Sequence, residues 1–464
     1  MTAAALFDAD LIARYDIAGP RYTSYPAAPQ FHSGFGEAEL RAVALSSNED
    51  PIPRPLSLYV HMPFCLSPCF YCGCTRIITR DKSRSPIYLQ RLHREIELVA
   101  PLIDRDRSVL QLHFGGGTPN FLEPAQMAEL LDTLAQHFSF SRAREREFGI
   151  ELDPRFCDAD YVRGLAPLGF NRVSVGIQDF DPDVQAAVNR IQSVAQTRAV
   201  LDAARTAGFR SASVDLIYGL PKQTLTGFAR TLDEVIALAP DRIAVYAYAH
   251  LPERFKAQRQ IEATDLPDAT TRLRLLGLTV DKLTAAGYRY IGMDHFARAD
   301  DDLARAQEAG TLQRNFQGYS THAGCDLIGL GMSAISHIGA SFSQNPRDLP
   351  DYYAALDSGR LPVTRGLALS EDDELRAEII SQLMCHGTLD IAAFEARHGL
   401  DFAVYFGIEL TRLRALEHDG LIAVQPGRLT VSSRGRFLLR IIAMCFDTYL
   451  ASAQAPAIRY SRAL

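Results

Sequence analysis

The sequence predicts an α/β fold: a partial (βα)6 parallel barrel followed by a mainly helical, winged-helix-like C-terminal domain. Three observations predict it. Runs rich in Val, Ile, Leu and Tyr alternate six times with amphipathic segments. Polar or glycine-rich residues follow those runs, at the strand ends where a parallel barrel places its active site. Past about residue 365 the alternation gives way to helical periodicity and one hairpin.

Residues 1–54 read as a polar arm. Gly19, Pro20 and Pro26 in "GPRYTSYPAAP" favour extended chain over a core element. From 55 to 364 the strand runs are 56–60, 110–114, 148–152, 172–177, 212–217 and 242–248. Helical periodicity lies between them at 86–100, 124–137, 193–207 and 225–238. Strand–helix alternation of this kind builds a parallel sheet, curved or partly closed. The third part, 365–464, holds helical stretches around "EDDELRAEIISQLMCHG" and "AVYFGIELTRLRALEHDG", a hairpin "LIAVQPGRLTV" turning at Pro426-Gly427, and a final helix over 434–449.

A chain of 464 residues with 47% hydrophobic content can bury a large core. Net charge is -7, and "SEDDE" makes the winged-helix-like part acidic. Nucleic acid and membrane surfaces are therefore not expected as partners. The first residues, "MTAAALFDADLIARYD", lack the basic start and apolar block of a signal peptide. No run reaches the ~18 apolar residues of a membrane span. A cytoplasmic setting follows, where clustered thiols point to metal or redox chemistry rather than disulfides. Cys157, Cys325, Cys385 and Cys445 are scattered and read as small buried hydrophobes.

The other four cysteines crowd into "LYVHMPFCLSPCFYCGC". Cys65, Cys69 and Cys72 obey C-x3-C-x2-C, and Cys74 follows two residues later. A structural zinc site commonly takes two separated ligand pairs, and no second pair with matching spacing is present. A [4Fe–4S] cluster takes thiolates, and three of them can hold three irons and leave the fourth open. Cys74 could complete a set of four, but Gly73 alone separates it from Cys72 and neighbouring thiolates must reach different corners. Three ligands and an open iron is the favoured arrangement, with Cys74 near the cluster. At the second strand end, "GGGTP" (115–119) allows close backbone approach, and its N–H groups suit a carboxylate. No G-K-[ST] follows, so it is not a phosphate loop. Glu151, Asp153, Gln178, Asp179 and Asp215 end the next three strands.

C-x3-C-x2-C after a first strand, with Tyr71 before the third cysteine, resembles the radical S-adenosylmethionine enzymes, whose open iron is chelated by the amino and carboxylate groups of S-adenosylmethionine. "GPRYTSYP", "FGGGTPN", "IELDPR", "NRVSVGIQDF", "VNRIQ", "DLIYGLPKQT", "GMDHFA" and "MCFDTYL" narrow the resemblance to the oxygen-independent coproporphyrinogen III oxidase family. It spans Tyr15 to Arg462. Met62 stands where isoleucine is more usual, and Tyr71 where phenylalanine is common. The related haem chaperones share the cluster motif. They lack the arm and carry an acidic residue where this chain has Gly73-Cys74, so the chain sides with the oxidases.

The resemblance implies decarboxylation of two propionates of coproporphyrinogen III to vinyl groups, giving protoporphyrinogen IX in haem biosynthesis. It implies a [4Fe–4S] cluster on Cys65, Cys69 and Cys72. It further implies S-adenosylmethionine contacts by Tyr59, Tyr71, Gly116, Gly117, Thr118, Glu151, Gln178, Arg190, Asp215, Ala249 and Ile335. Cys74 is the candidate non-ligand catalytic residue. A reducing electron-transfer protein must supply electrons, and the chain is expected to act as a monomer. The substrate carries four carboxylates, for which Arg21, Lys222, His295 and Arg298 are candidates. The arm is a candidate lid over the barrel mouth.

Overall fold

The structure, a computed structural model, describes residues 9–322 and 324–450. The first eight residues, read above against a signal peptide, and the end of the resemblance towards Arg462 lie outside the described residues.

The chain packs as two units. One comprises Phe31–Pro267 and Gly324–Leu369; the other comprises Met1–Gln30, Asp268–Ala323 and Ser370–Leu464. This division differs from a linear three-part order. The arm is cut between Gln30 and Phe31, and the segment after Pro267 joins the C-terminal helices.

In the larger unit, six parallel strands follow in sequence: β1 (Leu56–Met62), β2 (Ser108–Gly116), β3 (Glu147–Leu152), β4 (Arg172–Gln178), β5 (Ser211–Tyr218) and β6 (Arg242–Ala247). Each matches an expected run to within two residues at either end. Helices α1 (Arg84–Val99), α2 (Pro124–His137), α3 (Ala159–Leu165), α4 (Val194–Thr206) and α5 (Leu225–Leu238) connect them. Their starts are chemically marked. Ser193 and Thr224 each accept a backbone N–H from the first turn, and Pro124 opens α2 behind the Glu123–Gln126 capping box. α1 buries Tyr88, Leu89, Leu92, Ile96 and Val99, a stripe at helical spacing. Leu58 and Val60 on β1 are fully buried, each contributing roughly 1.5–3 kcal/mol.

The sheet extends beyond the six strands. β7 (Asp326–Leu330) pairs parallel with β1 on the side away from β2, and β8 (Ile335–Ile338), β9 (Ser341–Gln344) and β10 (Arg365–Ala368) continue it antiparallel. At the N-terminal strand ends, Arg107 Nη2 bonds Asp326 Oδ2 at 2.5 Å, both buried. Arg107 also donates to Ser47, Asn48 and the Arg54 carbonyl. The N-terminal ends of β2 and β7, which flank β1, are thus tied by an ion pair away from the strand ends that carry chemistry. Phe31 stacks on Phe342 at 5.5 Å, and His32 bridges to Gly366, so this stretch belongs to the sheet.

The other unit contains helices Glu371–His386, Ile391–His398 and Gly407–His418 and a sheet of Thr388–Asp390, Arg428–Val431 and Ile422–Gln425. The hairpin turns at Gly427 (φ 78°), as expected. Two expectations are corrected here. The GPRYTSYP segment is not a free extended arm: Tyr22 and Tyr25 are buried in this core, bonded to Asp447 at 2.9 Å and Thr448 at 3.0 Å. The final helix is shorter than 434–449: a 3-10 turn (Gly435–Leu438) precedes Leu439–Met444. It stops because the Asp447 carboxylate takes the Tyr449 and Leu450 N–H groups in a local turn.

Candidate active site

β1 delivers the chain to the cysteine loop, and neighbouring elements pin that loop. Phe64–Cys65 pairs parallel with Ile77–Ile78, returning the chain past Cys65. The Phe70 N–H reaches the Val188 carbonyl at 2.9 Å, and Asn189 Nδ2 reaches the Pro68 carbonyl at 2.6 Å. Gln258 Nε2 donates to the carbonyls of Tyr71 (2.9 Å) and Ala249 (3.1 Å), tying the loop to the exit of β6. The Phe255 ring lies where a Gly73 Cβ would be 3.1 Å from it.

The loop faces a cavity of about 190 Å³ at the C-terminal strand ends. Cys65, Cys69, Cys72 and Cys74 line it, with Tyr71 beside them. Opposite stand Gly116 at the end of β2 with Gly117 and Thr118 just beyond it, Glu151 of β3, Gln178 of β4, Asp215 of β5, and Arg190. Successive strands therefore converge on one space. Three candidates do not line it. Tyr59 lies on β1, its ring stacked on His113 (6.1 Å), which in turn bonds Glu151 Oε1 at 3.1 Å. Ala249 reaches the loop only through Gln258. Ile335 opens β8, close above Gly329, the β7 partner of Tyr59.

The glycines act by absence. A Cβ on Gly117 would stand 2.8 Å from the Met62 carbonyl oxygen, and one on Gly116 (φ +106°) would strike the His61 ring. The Gly117 N–H is not free for a ligand, since it donates to Met62 O at 2.7 Å. The stretch supplies close approach. At β4, a bulge between Gly176 and Gln178 and a φ of 71° at Gln178 turn that side chain into the cavity.

The thiols differ. Burial pushes Cys65 up to about 11 despite the Thr118 hydroxyl donating to its sulfur at 3.3 Å. The hydrogen bond with Cys74 lowers Cys72 to about 6 against burial, helped by Arg76, and the same pairing raises Cys74. Burial likewise lifts Asp215 to about 7, with Glu151 adding to the rise and Ser174 opposing it. In Glu151 and Asp153 burial acts upward too. It is outweighed by His113 for Glu151 and by Arg155 and Arg190 for Asp153, so both sit below the usual carboxylate range.

Three cations that composition and spacing had not assigned there contact the cysteine loop. Arg76 donates to the carbonyls of Cys69, Cys72 and Cys74. Arg155 and Arg190 reach the Cys69 sulfur. Arg190 was expected as a cofactor contact; Arg155 was visible only as a member of the IELDPR stretch, and Arg76 lies just past the quoted cysteine motif. Nε of Arg76 and Nε of Arg190 are buried without an acceptor, polar atoms that a bound anionic group would satisfy. Among the described residues no three His, Cys, Asp or Glu side chains converge on a single-ion site. A cubane needs no such convergence, since its three irons take one thiolate each. Three thiols around one cavity, cationic surroundings and a glycine wall fit that group.

The expected substrate cations are already engaged. Arg21 pairs with Asp294 (3.4 Å), Lys222 with Asp265 (3.9 Å) and Arg298 with Asp300 (3.2 Å), while His295 packs edge-on to Tyr319 (5.3 Å). A different cationic group lies in the larger unit. Burial, then the charges of Arg347 and Arg254, hold the Arg365 guanidinium below its usual value, and Arg365 bonds the Gln344 amide oxygen at 2.6 Å.

A family model described as the radical SAM superfamily matches residues 59–235, and one described as the HemN C-terminal domain matches 369–438. An oxygen-independent coproporphyrinogen III oxidase of Pseudomonas aeruginosa is 52% identical over 458 residues, 99% of each chain. The chain belongs to the oxygen-independent coproporphyrinogen III oxidase family. The family's Escherichia coli K12 member is 48% identical over 445 residues, 96% of each chain. A solved structure of Escherichia coli coproporphyrinogen III oxidase (HemN), described as a radical SAM enzyme, superposes with a TM-score of 0.90 at 46% identity, covering 96% of this chain and 99% of that one. Family and fold class are as the motifs implied.

Proposed function

We propose that the protein performs the oxygen-independent oxidative decarboxylation of two coproporphyrinogen III propionates, giving protoporphyrinogen IX in haem biosynthesis. One observation carries this reading: in a chain of that family, three C-x3-C-x2-C thiols and the polar ends of four successive strands line a single cavity. Cys65, Cys69 and Cys72 would hold a [4Fe–4S] cluster. With S-adenosylmethionine, such a cluster would supply the one-electron chemistry for removing a propionate β-hydrogen, after which carbon dioxide would leave and one electron would pass to an acceptor.

The chain's own residues bind and orient. Gly116 and Gly117 give S-adenosylmethionine close approach, Thr118 and Tyr71 flank the cysteines, and Glu151 and Asp215 suit its ammonium or ribose hydroxyls. Arg190 and Gln178 suit its carboxylate or ribose. Tyr59, Ala249 and Ile335 support this shell from behind. Cys74 stands beside Cys72 without being needed as a ligand, which suits a catalytic role on the substrate. The charges of Arg254 and Arg347 both act on the Arg365 guanidinium, a cationic neighbourhood suited to propionate carboxylates. Electrons come from a reducing electron-transfer protein, and the chain works as a cytoplasmic monomer. All eight cysteines are unpaired, in keeping with a reducing compartment, and among the described residues no helix is long and apolar enough to cross a membrane.

The deciding experiment is anaerobic incubation with coproporphyrinogen III, S-adenosylmethionine and dithionite. Protoporphyrinogen IX and 5′-deoxyadenosine are expected together. Tight haem binding with neither product formed would overturn the reading.

A further inference from the structure

Two guanidinium groups converge on one of the three ligand sulfurs. Arg155 Nη2 lies 3.4 Å from Cys69 Sγ, and Arg190 Nη1 lies 3.6 Å from it. The other two sulfurs take weaker, neutral donors: the Thr118 hydroxyl on Cys65 and the Cys74 N–H on Cys72. Both arginines are held by Asp153. Arg155 grips it with Nε to Oδ1 at 2.9 Å and Nη2 to Oδ2 at 2.6 Å, while Arg190 Nη1 meets Oδ2 at 3.2 Å. Asp153 is itself clamped by Asn120, which accepts its N–H at 2.9 Å and donates to its carbonyl at 3.2 Å. The side chains of Arg155 and Asp153 are each only 9% exposed. The group therefore carries one net positive charge, out of water, against one sulfur.

We propose that Arg155 is a positioning residue that raises the reduction potential of the cluster through Cys69. The inference rests on the cluster reading above. Hydrogen bonds to ligand sulfur and nearby positive charge both favour the form with the extra electron, and little solvent is present to screen them. In the step concerned one electron enters from the reductant, the cluster's charge falls by one, and no bond forms or breaks and no proton moves. Arginine is needed because its planar fork spans the Asp153 carboxylate and the sulfur at once, whereas a lysine ammonium is a single point charge. Arg190 cannot be tested cleanly because it belongs to the proposed cofactor contacts; Arg155 does not.

The test is a mediated dithionite titration of the anaerobically reconstituted full-length protein, followed by electron paramagnetic resonance without S-adenosylmethionine. Iron and sulfide contents are measured first. A wild-type protein that holds no cluster overturns the underlying reading and this inference with it, before any potential is compared. With clusters loaded, Arg155→Gln is expected to have a more negative midpoint than wild type, and Arg155→Lys a smaller shift in the same direction. An unchanged or less negative midpoint in loaded Arg155→Gln overturns the proposal. If the Gln variant does not load, Arg155→Lys decides: a midpoint equal to wild type overturns the proposal, and a more negative one supports it.

Discussion

Four thiols within one loop differ because their nearest neighbours differ. Cys65 faces a hydroxyl, Cys69 two guanidiniums, and Cys72 the Cys74 thiol. Serine at Cys65, Cys69 or Cys72 is expected to abolish cluster assembly, read as lost iron, sulfide and visible absorption. Cys74→Ser is expected to keep the cluster and lose protoporphyrinogen formation. Away from the site, the carboxyl of Glu95 illustrates pH linkage. Burial raises it from 4.5 to about 7, against hydrogen bonds from Tyr352, Gly331 and Asn345. Between those values the unfolded chain is ionised and the folded one still protonated, so stability falls as pH rises through the window and levels off above it. The contribution lost between pH 5 and pH 8 is on the order of 3 kcal/mol. Urea midpoints of the apo-protein measured across that range are expected to decline, and Glu95→Gln to decline less.

Strand ends carry the chemistry, and glycine sets how closely the elements approach there. A Cβ on Gly117 would meet backbone on both Met62 and Pro63 at 2.8 Å, atoms that cannot swing away. Gly117→Ala is therefore expected to cost about 1–3 kcal/mol in stability and to weaken S-adenosylmethionine binding, read by thermal melting and equilibrium binding. Gly73→Ala meets only the Phe255 ring, at 3.1 Å, and is the milder control. The "GGGTP" stretch was legible as a place of close approach. That the Gly117 amide is already bonded was not, because Met62 reaches it from another strand.

The whole chain divides where its sequence shows no break. The division falls between the adjacent residues Gln30 and Phe31, yet Tyr22 and Tyr25 bury in one core and Phe31 in another. Within the helical unit, buried Arg440 donates to the carbonyls of Pro20 (3.0 Å) and Gly19. A truncation beginning at Arg21 removes both acceptors and is expected to lower the melting temperature, since an unsatisfied buried donor costs about 1–3 kcal/mol. The lid reading of the arm requires more: turnover lost, with cluster content intact, at a temperature where the truncated chain remains folded.

Sequence alone determined the six strand–helix repeats, the hairpin at Pro426-Gly427, the cysteine spacing and the glycine and acidic strand ends. These are written in local periodicity and short spacings, which act within one element or one turn. Only the tertiary structure decided that β7 closes onto β1, that Gln258 ties down the Tyr71 carbonyl from 187 positions away, and that Arg155 reaches Cys69 across 86. Such meetings depend on how packed strands and loops close in space. A side chain's local pattern carries no record of the partner that closure brings to it.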